Sequence, residues 1–123
     1  MIDTHAIAAY VVSSSDGDRC SLSELLSAIR SRSPEASHEE VLDACRNTCL
    51  DLVREGHLRL DMTLPHANRP GRDGYTLVAD EEVPAILTDP NAWLSPRETH
   101  ACYWPMATES GKAKYISEDA FSL

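Results

Sequence analysis

The spacing of apolar residues changes near residue 57, and this change limits what the chain can fold into. In the segment 21–32 the large apolar residues recur at intervals of three and four positions: Leu22, Leu25, Leu26 and Ile29. This spacing is typical of one face of an α-helix. From Leu58 to Leu64 the apolar residues occupy every second position, which predicts a strand with one solvent-exposed face. Helices followed by strands indicate an α+β domain.

A third helix is predicted from residue 38 to residue 55, and it has the clearest boundary signals in the chain. Ser37 and Glu40 have the spacing of a capping box, in which each side chain satisfies a backbone N–H at the helix start. Gly56 can adopt the left-handed conformation that ends many helices. The predicted buried face consists of Val41, Leu42, Cys45, Cys49, Leu52 and Val53. The opposite face consists of Glu39, Glu40, Asp43, Arg46, Asn47, Leu50, Asp51 and Arg54.

The elements on either side of these segments are predicted from weaker signals. Asp3 is expected to cap a first helix, whose apolar face would be Ala6, Ile7, Tyr10 and Val11. Residues 65–74 hold two prolines and two glycines and are expected to form a loop. A return strand at 75–78 would then complete a hairpin with a long tip.

The C-terminal third is predicted to add a helix, a strand and a final helix. Asp80 is expected to cap a short helix that tolerates Pro84 because this proline lies in the first turn. Trp93 is expected to pack this segment onto the rest of the protein. A third strand is predicted at 99–107, and Thr108 is expected to cap the last helix.

Three helices followed by a two-stranded hairpin resemble the winged helix-turn-helix superfamily, with the hairpin as the wing. The resemblance covers residues 3–80, and the segment 107–115 is similar to the Thr-x-x-Gly-basic stretch that closes the wing in many winged-helix regulators. Here that stretch follows an inserted helix and strand. The expected organisation is therefore one α+β domain over residues 1–123, with its core at 3–80, an elaboration at 81–115 and a loose tail at 116–123.

The winged-helix resemblance implies DNA binding as one function. Members of this superfamily place the third helix in the major groove and use the wing as a second contact. In this chain these elements would be the helix 38–55 and the loop 65–74, with His66, Arg69 and Arg72 as the contacts on the loop. An ordinary solvated loop would carry the same residues.

The charge of the chain favours a different partner. Twenty acidic side chains against 11 basic ones give a net charge of −9, which repels nucleic acid and anionic membrane surfaces. We therefore expect a protein partner, such as a basic toxin or another nucleic-acid-binding protein. Small acidic bacterial immunity proteins, which neutralise nuclease toxins, are similar in length, charge and lack of a catalytic motif. The sequence leaves open whether the chain also forms a homodimer.

The polar face of the third helix is the predicted contact surface for such a partner. Its candidate residues are Glu39, Glu40, Asp43, Arg46, Asn47 and Leu50. The plainer interpretation is that the three carboxylates near the helix start only complement the helix dipole. Leu50 is either covered by the C-terminal segment or serves as an apolar anchor for the partner.

No catalytic, cofactor-binding or metal-binding residue is predicted. Cys45 and Cys49 lie one turn apart on the apolar face, where small thiols are common core residues. His100 and Cys102 share a strand face, a geometry that seldom gives a thiol–imidazole hydrogen bond. The first twelve residues do not have the pattern of an export signal, so the four cysteines are expected to be reduced thiols in the cytoplasm.

Overall fold

The computed structural model describes residues 4–15, 20–63, 76–93 and 102–115. Its five α-helices are α1 (Thr4–Ser14), α2 (Leu22–Arg32), α3 (His38–Arg54), α4 (Val83–Thr88) and α5 (Glu109–Tyr115). Its three strands are β1 (Leu58–Thr63), β2 (Thr76–Leu77) and β3 (Cys102–Ala107). They form one antiparallel sheet in the order β2-β1-β3. The predicted α+β class is confirmed, as are the hairpin, the third strand and the final helix.

Local capping signals account for the boundaries of α2 and α3. The Ser37 hydroxyl accepts a hydrogen bond from the Glu40 backbone N–H at 3.2 Å, and the predicted capping box is present. Ser21 forms a second capping box with Glu24, which the sequence interpretation did not identify. Gly56 ends α3 with a φ of 79°, the left-handed conformation that was predicted for it. Each of these signals acts within a few residues, so each can be recognised from sequence.

The core lies between α1, α2, α3 and the sheet, and the predicted faces of two helices are confirmed. On α2 the buried residues include all four predicted ones: Leu22, Leu25, Leu26 and Ile29. On α3 they include Val41, Cys45, Cys49 and Leu52. The predicted face of α1 is wrong by about one position, because Ala6 is exposed and Tyr10 only half-buried, whereas Ala8 and Val12 are buried. Helix α1 packs against both α3 and α5, which rotates its buried face.

The predicted solvent-exposed face of β1 is confirmed at Arg59, which is exposed, but is wrong at its other two positions. Asp61 and Thr63 on that face are 4% and 1% exposed. Strand β3 pairs with all six residues of β1 and places Trp104 opposite Asp61. The Trp104 indole Nε1 then donates a hydrogen bond to the Thr63 Oγ1 at 3.1 Å. A partner strand some 40 residues away in sequence therefore covers a face that alternation alone predicted to be wet.

The segment that links the sheet strands folds as predicted except at its start. Asp80 begins a 3-10 turn rather than capping α4, and Pro84 lies in the first turn of that helix. Trp93 is buried and its indole Nε1 donates to the Leu87 carbonyl at 2.9 Å. Thr108 caps α5, because its hydroxyl accepts from the Gly111 backbone N–H at 3.1 Å.

Several predictions concern residues outside the described ranges. These are the cap at Asp3, the loop 65–74 with His66, Arg69 and Arg72, the residue His100 and the tail 116–123. Within the ranges that are described, no helix has the length and apolar character needed to cross a membrane.

Candidate functional site

The six candidate residues on α3 form one stripe along the helix. Their spacing of three, four and seven positions places Glu39, Asp43, Arg46, Asn47 and Leu50 on one side of an α-helix, with Glu40 beside them. Glu39, Glu40, Asp43 and Asn47 are exposed. Arg46 and Leu50 are half-buried, so they lie where the stripe meets its neighbours.

Two of the three carboxylates at the start of this stripe have partners within α3. The Glu40 side chain accepts from the Ser37 backbone N–H at 3.4 Å as part of the capping box. The Asp43 Oδ1 lies 3.2 Å from the Arg46 Nη1. Glu39 makes no hydrogen bond or ion pair with the residues that the structure describes. The negative charge of this end is therefore partly compensated, which the sequence alone did not show.

A groove of about 220 Å³ runs between α3 and the start of α4. Leu50, Val53 and Val83, with Pro84, supply its apolar lining, and Arg54 and Asp80 supply its charged lining. Leu50 is thus neither fully covered by the C-terminal segment nor left isolated on the surface. It forms one wall of a groove whose other wall is the segment that was expected to cover it.

The segment that supplies the α4 wall of the groove is acidic, although only Asp80 of its carboxylates lines the groove itself. Asp80, Glu81, Glu82 and Asp89 are all exposed, and no lysine or arginine occurs between residues 76 and 93. Burial raises the pKa of the Tyr103 hydroxyl, and the negative charges of Asp89 and then Glu82 raise it further. The field of these carboxylates therefore extends to the adjacent edge of the sheet. The sequence analysis considered only Asp80 as a helix cap and could not place it beside Leu50, because only tertiary packing brings the two together.

The cysteines of α3 are core residues, as predicted. Cys45 and Cys49 are fully buried. Burial raises the pKa of the Cys45 thiol to about 12, and burial followed by the neighbouring Cys45 raises the pKa of Cys49. Neutral thiols are poor nucleophiles and poor metal ligands. In the described part of the chain no group of three or more His, Cys, Asp or Glu residues is arranged to hold a metal ion.

A serine, a histidine and a glutamate meet where α5 docks onto the end of α3. The Ser110 Oγ lies 3.1 Å from the His57 Nδ1, and the His57 Nε2 lies 3.5 Å from the Glu55 Oε2. The Ser110 and Thr108 hydroxyls both lie within donating distance of the Gly56 carbonyl, at 2.9 and 2.6 Å. The Gly56 carbonyl oxygen can only accept, so the two hydroxyls donate to it and hold the start of α5 against the end of α3.

The chain was compared with protein-family models, with curated proteins and with solved structures, and no match was found in any of the three comparisons.

Proposed function

We propose that this chain is a binding protein for a basic segment of another protein, and that the segment docks in the groove between α3 and α4. The observation that carries the proposal is the composition of this groove. Its lining is apolar at Leu50, Val53 and Val83, and the adjoining acidic segment has no basic residue to compensate it. An apolar floor anchors a partner and an excess of one charge beside it orients the partner; here the excess is negative, because the lining residue Arg54 already pairs with Asp51.

The groove dictates the chemistry of its occupant. A volume of about 220 Å³ is smaller than the ~300–1,000 Å³ of cavities that enclose drug-sized ligands, so it suits one or two side chains. An apolar side chain would bury against Leu50, while flanking lysines or arginines would face the carboxylates at 80–82 and Glu39. Long-range attraction between opposite charges would speed association and depend on salt.

A partner with this chemistry is a basic protein, and nucleic-acid-binding proteins such as nuclease toxins are one class that fits. The chain would then act as an inhibitor or immunity-type module, with the acidic surface occupying the partner's basic face. The carboxylates at 80–82 extend the candidate surface beyond the six residues of the α3 stripe.

The proposal is tested with a labelled amphipathic peptide of about 16 residues, roughly four helical turns, with leucines on one face and lysines on the other. Fluorescence anisotropy should show saturable binding, and a peptide with glutamate in place of lysine should not bind. Leu50→Asp should weaken binding about tenfold or more, the equivalent of ~1.4 kcal/mol. Leu77→Asp is the matched control, because Leu77 is 63% exposed on β2 and lies outside the groove. Equal affinities for the two variants would contradict the assignment of the groove.

The winged-helix alternative is tested in the same assay with labelled duplex DNA at about 50 and 200 mM salt. Protein recognition predicts no binding to DNA even at the lower concentration. Binding that collapses between the two concentrations would instead favour a DNA-binding regulator that uses the helix 38–55 and the loop 65–74. Triple charge reversal of Glu39, Glu40 and Asp43 should then strengthen DNA binding, whereas it should weaken binding of the lysine-rich peptide.

A further inference from the structure

The last helix, α5, docks onto the rest of the protein through contacts that are largely polar. Only two of its seven residues are buried, Gly111 and Tyr115. The hydroxyls at its start donate to the Gly56 carbonyl, and the Lys114 Nζ lies 3.4 Å from the Glu55 Oε2. A short element with little buried apolar surface opens locally more readily than the core does. Each polar contact therefore influences how often α5 detaches.

His57 lies at the centre of these contacts. Its side chain is 14% exposed, and both of its ring nitrogens have neighbours. The Nδ1 lies 3.1 Å from the Ser110 Oγ on α5, and the Nε2 lies 3.5 Å from the Glu55 Oε2 at the end of α3. The imidazole also meets the Tyr115 ring edge-on, with the centroids 5.9 Å apart. One titratable side chain thus joins the end of α3 to both ends of α5.

The donors and acceptors around His57 match the protonated imidazolium. The Ser110 hydroxyl donates its proton to the Gly56 carbonyl, so its oxygen is left to accept a hydrogen bond from the His57 Nδ1. An ionised Glu55 carboxylate also only accepts, so the Nε2 must donate as well. A neutral imidazole carries one N–H and can satisfy one of these neighbours, whereas the imidazolium carries two.

The titratable and charged groups on the elements that meet at His57 are Asp51 and Glu55 on the last turn and cap of α3, Lys114 and Tyr115 on α5, and His5 on α1. Asp51 pairs with Arg54. Lys114 shares the Glu55 Oε2 with His57, so two cations divide a carboxylate whose side chain is 48% exposed. This sharing limits the His57 contact to the strength of an exposed ion pair.

We propose that His57 is a pH-sensitive switch that holds α5 on the end of α3 when its imidazole is protonated. Histidine ordinarily changes charge between about pH 5 and 8. Below this range the imidazolium donates to both Ser110 and Glu55, and above it one of the two bonds is lost. Because α5 packs against α1 as well, its detachment at higher pH uncovers part of α1. None of these residues lines the groove between α3 and α4, so the switch is independent of the function proposed above.

The experiment is hydrogen–deuterium exchange of the backbone amides at about pH 6 and pH 8. Quenched-flow labelling from milliseconds to minutes covers both conditions, and each rate is divided by its intrinsic value at that pH. The protection of peptides from α5 should be about fivefold lower at pH 8, the effect of losing one exposed ion pair. Peptides from the middle of α3 should keep their protection, since the switch acts on local opening.

Matched variants assign the pH dependence to one side chain. His57→Gln cannot gain a proton, so the protection of α5 should become equal at the two pH values. Ser110→Ala removes one neighbour of the imidazole and should reduce the difference without altering the core, because Ser110 is exposed. His38→Gln is the control, since His38 is exposed at the opposite end of α3 and the difference should be retained.

Three outcomes would overturn the proposal. The first is equal protection of α5 at the two pH values in the unaltered protein. The second is a pH dependence that persists in His57→Gln, which would assign it to another group such as His5. The third is an equal loss of protection in α3 and α5, which would show that the whole protein opens rather than α5 alone.

Discussion

Replacing Thr48 with valine should stabilise the protein, although it removes a polar group from the middle of α3. Threonine and valine have the same shape and similar helix propensities, so the substitution isolates the hydroxyl. The Thr48 hydroxyl is buried without a partner among the described residues, and such a group costs roughly 1–3 kcal/mol. We expect Thr48→Val to raise the free energy of unfolding by about 1 kcal/mol, at the lower end of this range because the residue borders a cavity.

The same change at Thr63 should have the opposite sign. Thr63 is 1% exposed, and its hydroxyl accepts the hydrogen bond from the Trp104 indole at 3.1 Å. Valine would remove this buried hydrogen bond to the Trp104 indole, which should lower the free energy of unfolding by about 1 kcal/mol. Thr88→Val supplies the baseline, since this exposed hydroxyl bonds only to its own helix and should change stability by less than ~0.5 kcal/mol.

Urea unfolding followed by circular dichroism measures all three variants on one scale. The slope of the transition should stay constant, so that the midpoint reports stability directly. A midpoint that falls in Thr48→Val as it does in Thr63→Val would refute the reasoning. It would show that the Thr48 hydroxyl has a hydrogen-bond partner in the folded protein.

Three further predictions concern the docking of α5 and the buried thiols. Gly111→Ala would place a Cβ against the His57 carbonyl oxygen. The resulting loss of the hydrogen bonds that hold α5 should lower the free energy of unfolding by about 2 kcal/mol. An unchanged urea midpoint would mean that α5 does not pack there. A thiol-reactive dye at about pH 8 should label the half-buried Cys20 first, and Cys45 and Cys49 only after unfolding. Mass spectrometry identifies the labelled residue, and early labelling of either α3 thiol would contradict their burial. Because an unfolded thiol releases its proton near 9.0 and folded Cys45 near 12, the unfolded state binds fewer protons above pH 9. Stability should therefore fall as the pH rises from about 9 toward 12, and the fall should be smaller in the Cys45→Ala, Cys49→Ala double variant.

The sequence predicted the parts of the fold that depend on near neighbours. The capping box at Ser37 and the left-handed Gly56 each satisfy backbone groups within one helical turn, so their residue types are informative by themselves. The predicted exposure of two residues on β1 was wrong for the opposite reason, although that of Arg59 was confirmed. Whether Asp61 and Thr63 are exposed depends on β3, which pairs with them from a distant part of the chain. Alternation reports the period of a strand but not how many of its faces are covered.

The candidate site also has one part that near neighbours in sequence determine and one part that tertiary packing determines. The stripe on α3 was visible because helical periodicity places its members together. The groove was not visible, because its second wall consists of residues that only the packing of α4 brings to Leu50.

The pairing of charges favours a basic protein partner over the DNA that the winged-helix resemblance implies. Cations in the described part of the chain are largely held by nearby carboxylates: Arg46 by Asp43, Arg54 by Asp51, Arg59 by Asp61, Lys112 by Glu109 and Lys114 by Glu55. Exposed pairs of this kind contribute only about 0–1 kcal/mol each to stability, but they cancel the positive charge that DNA phosphates would require. Asp80, which lines the groove, and the adjoining Glu81 and Glu82 make no such pairs with described residues, so the uncompensated charge at the groove is negative. Phosphate contacts would then fall to Arg69 and Arg72 on the loop 65–74, and two such contacts give a salt dependence with a slope of only about −1.8. A basic protein meets no comparable obstacle, because every uncompensated carboxylate at the groove adds to its attraction.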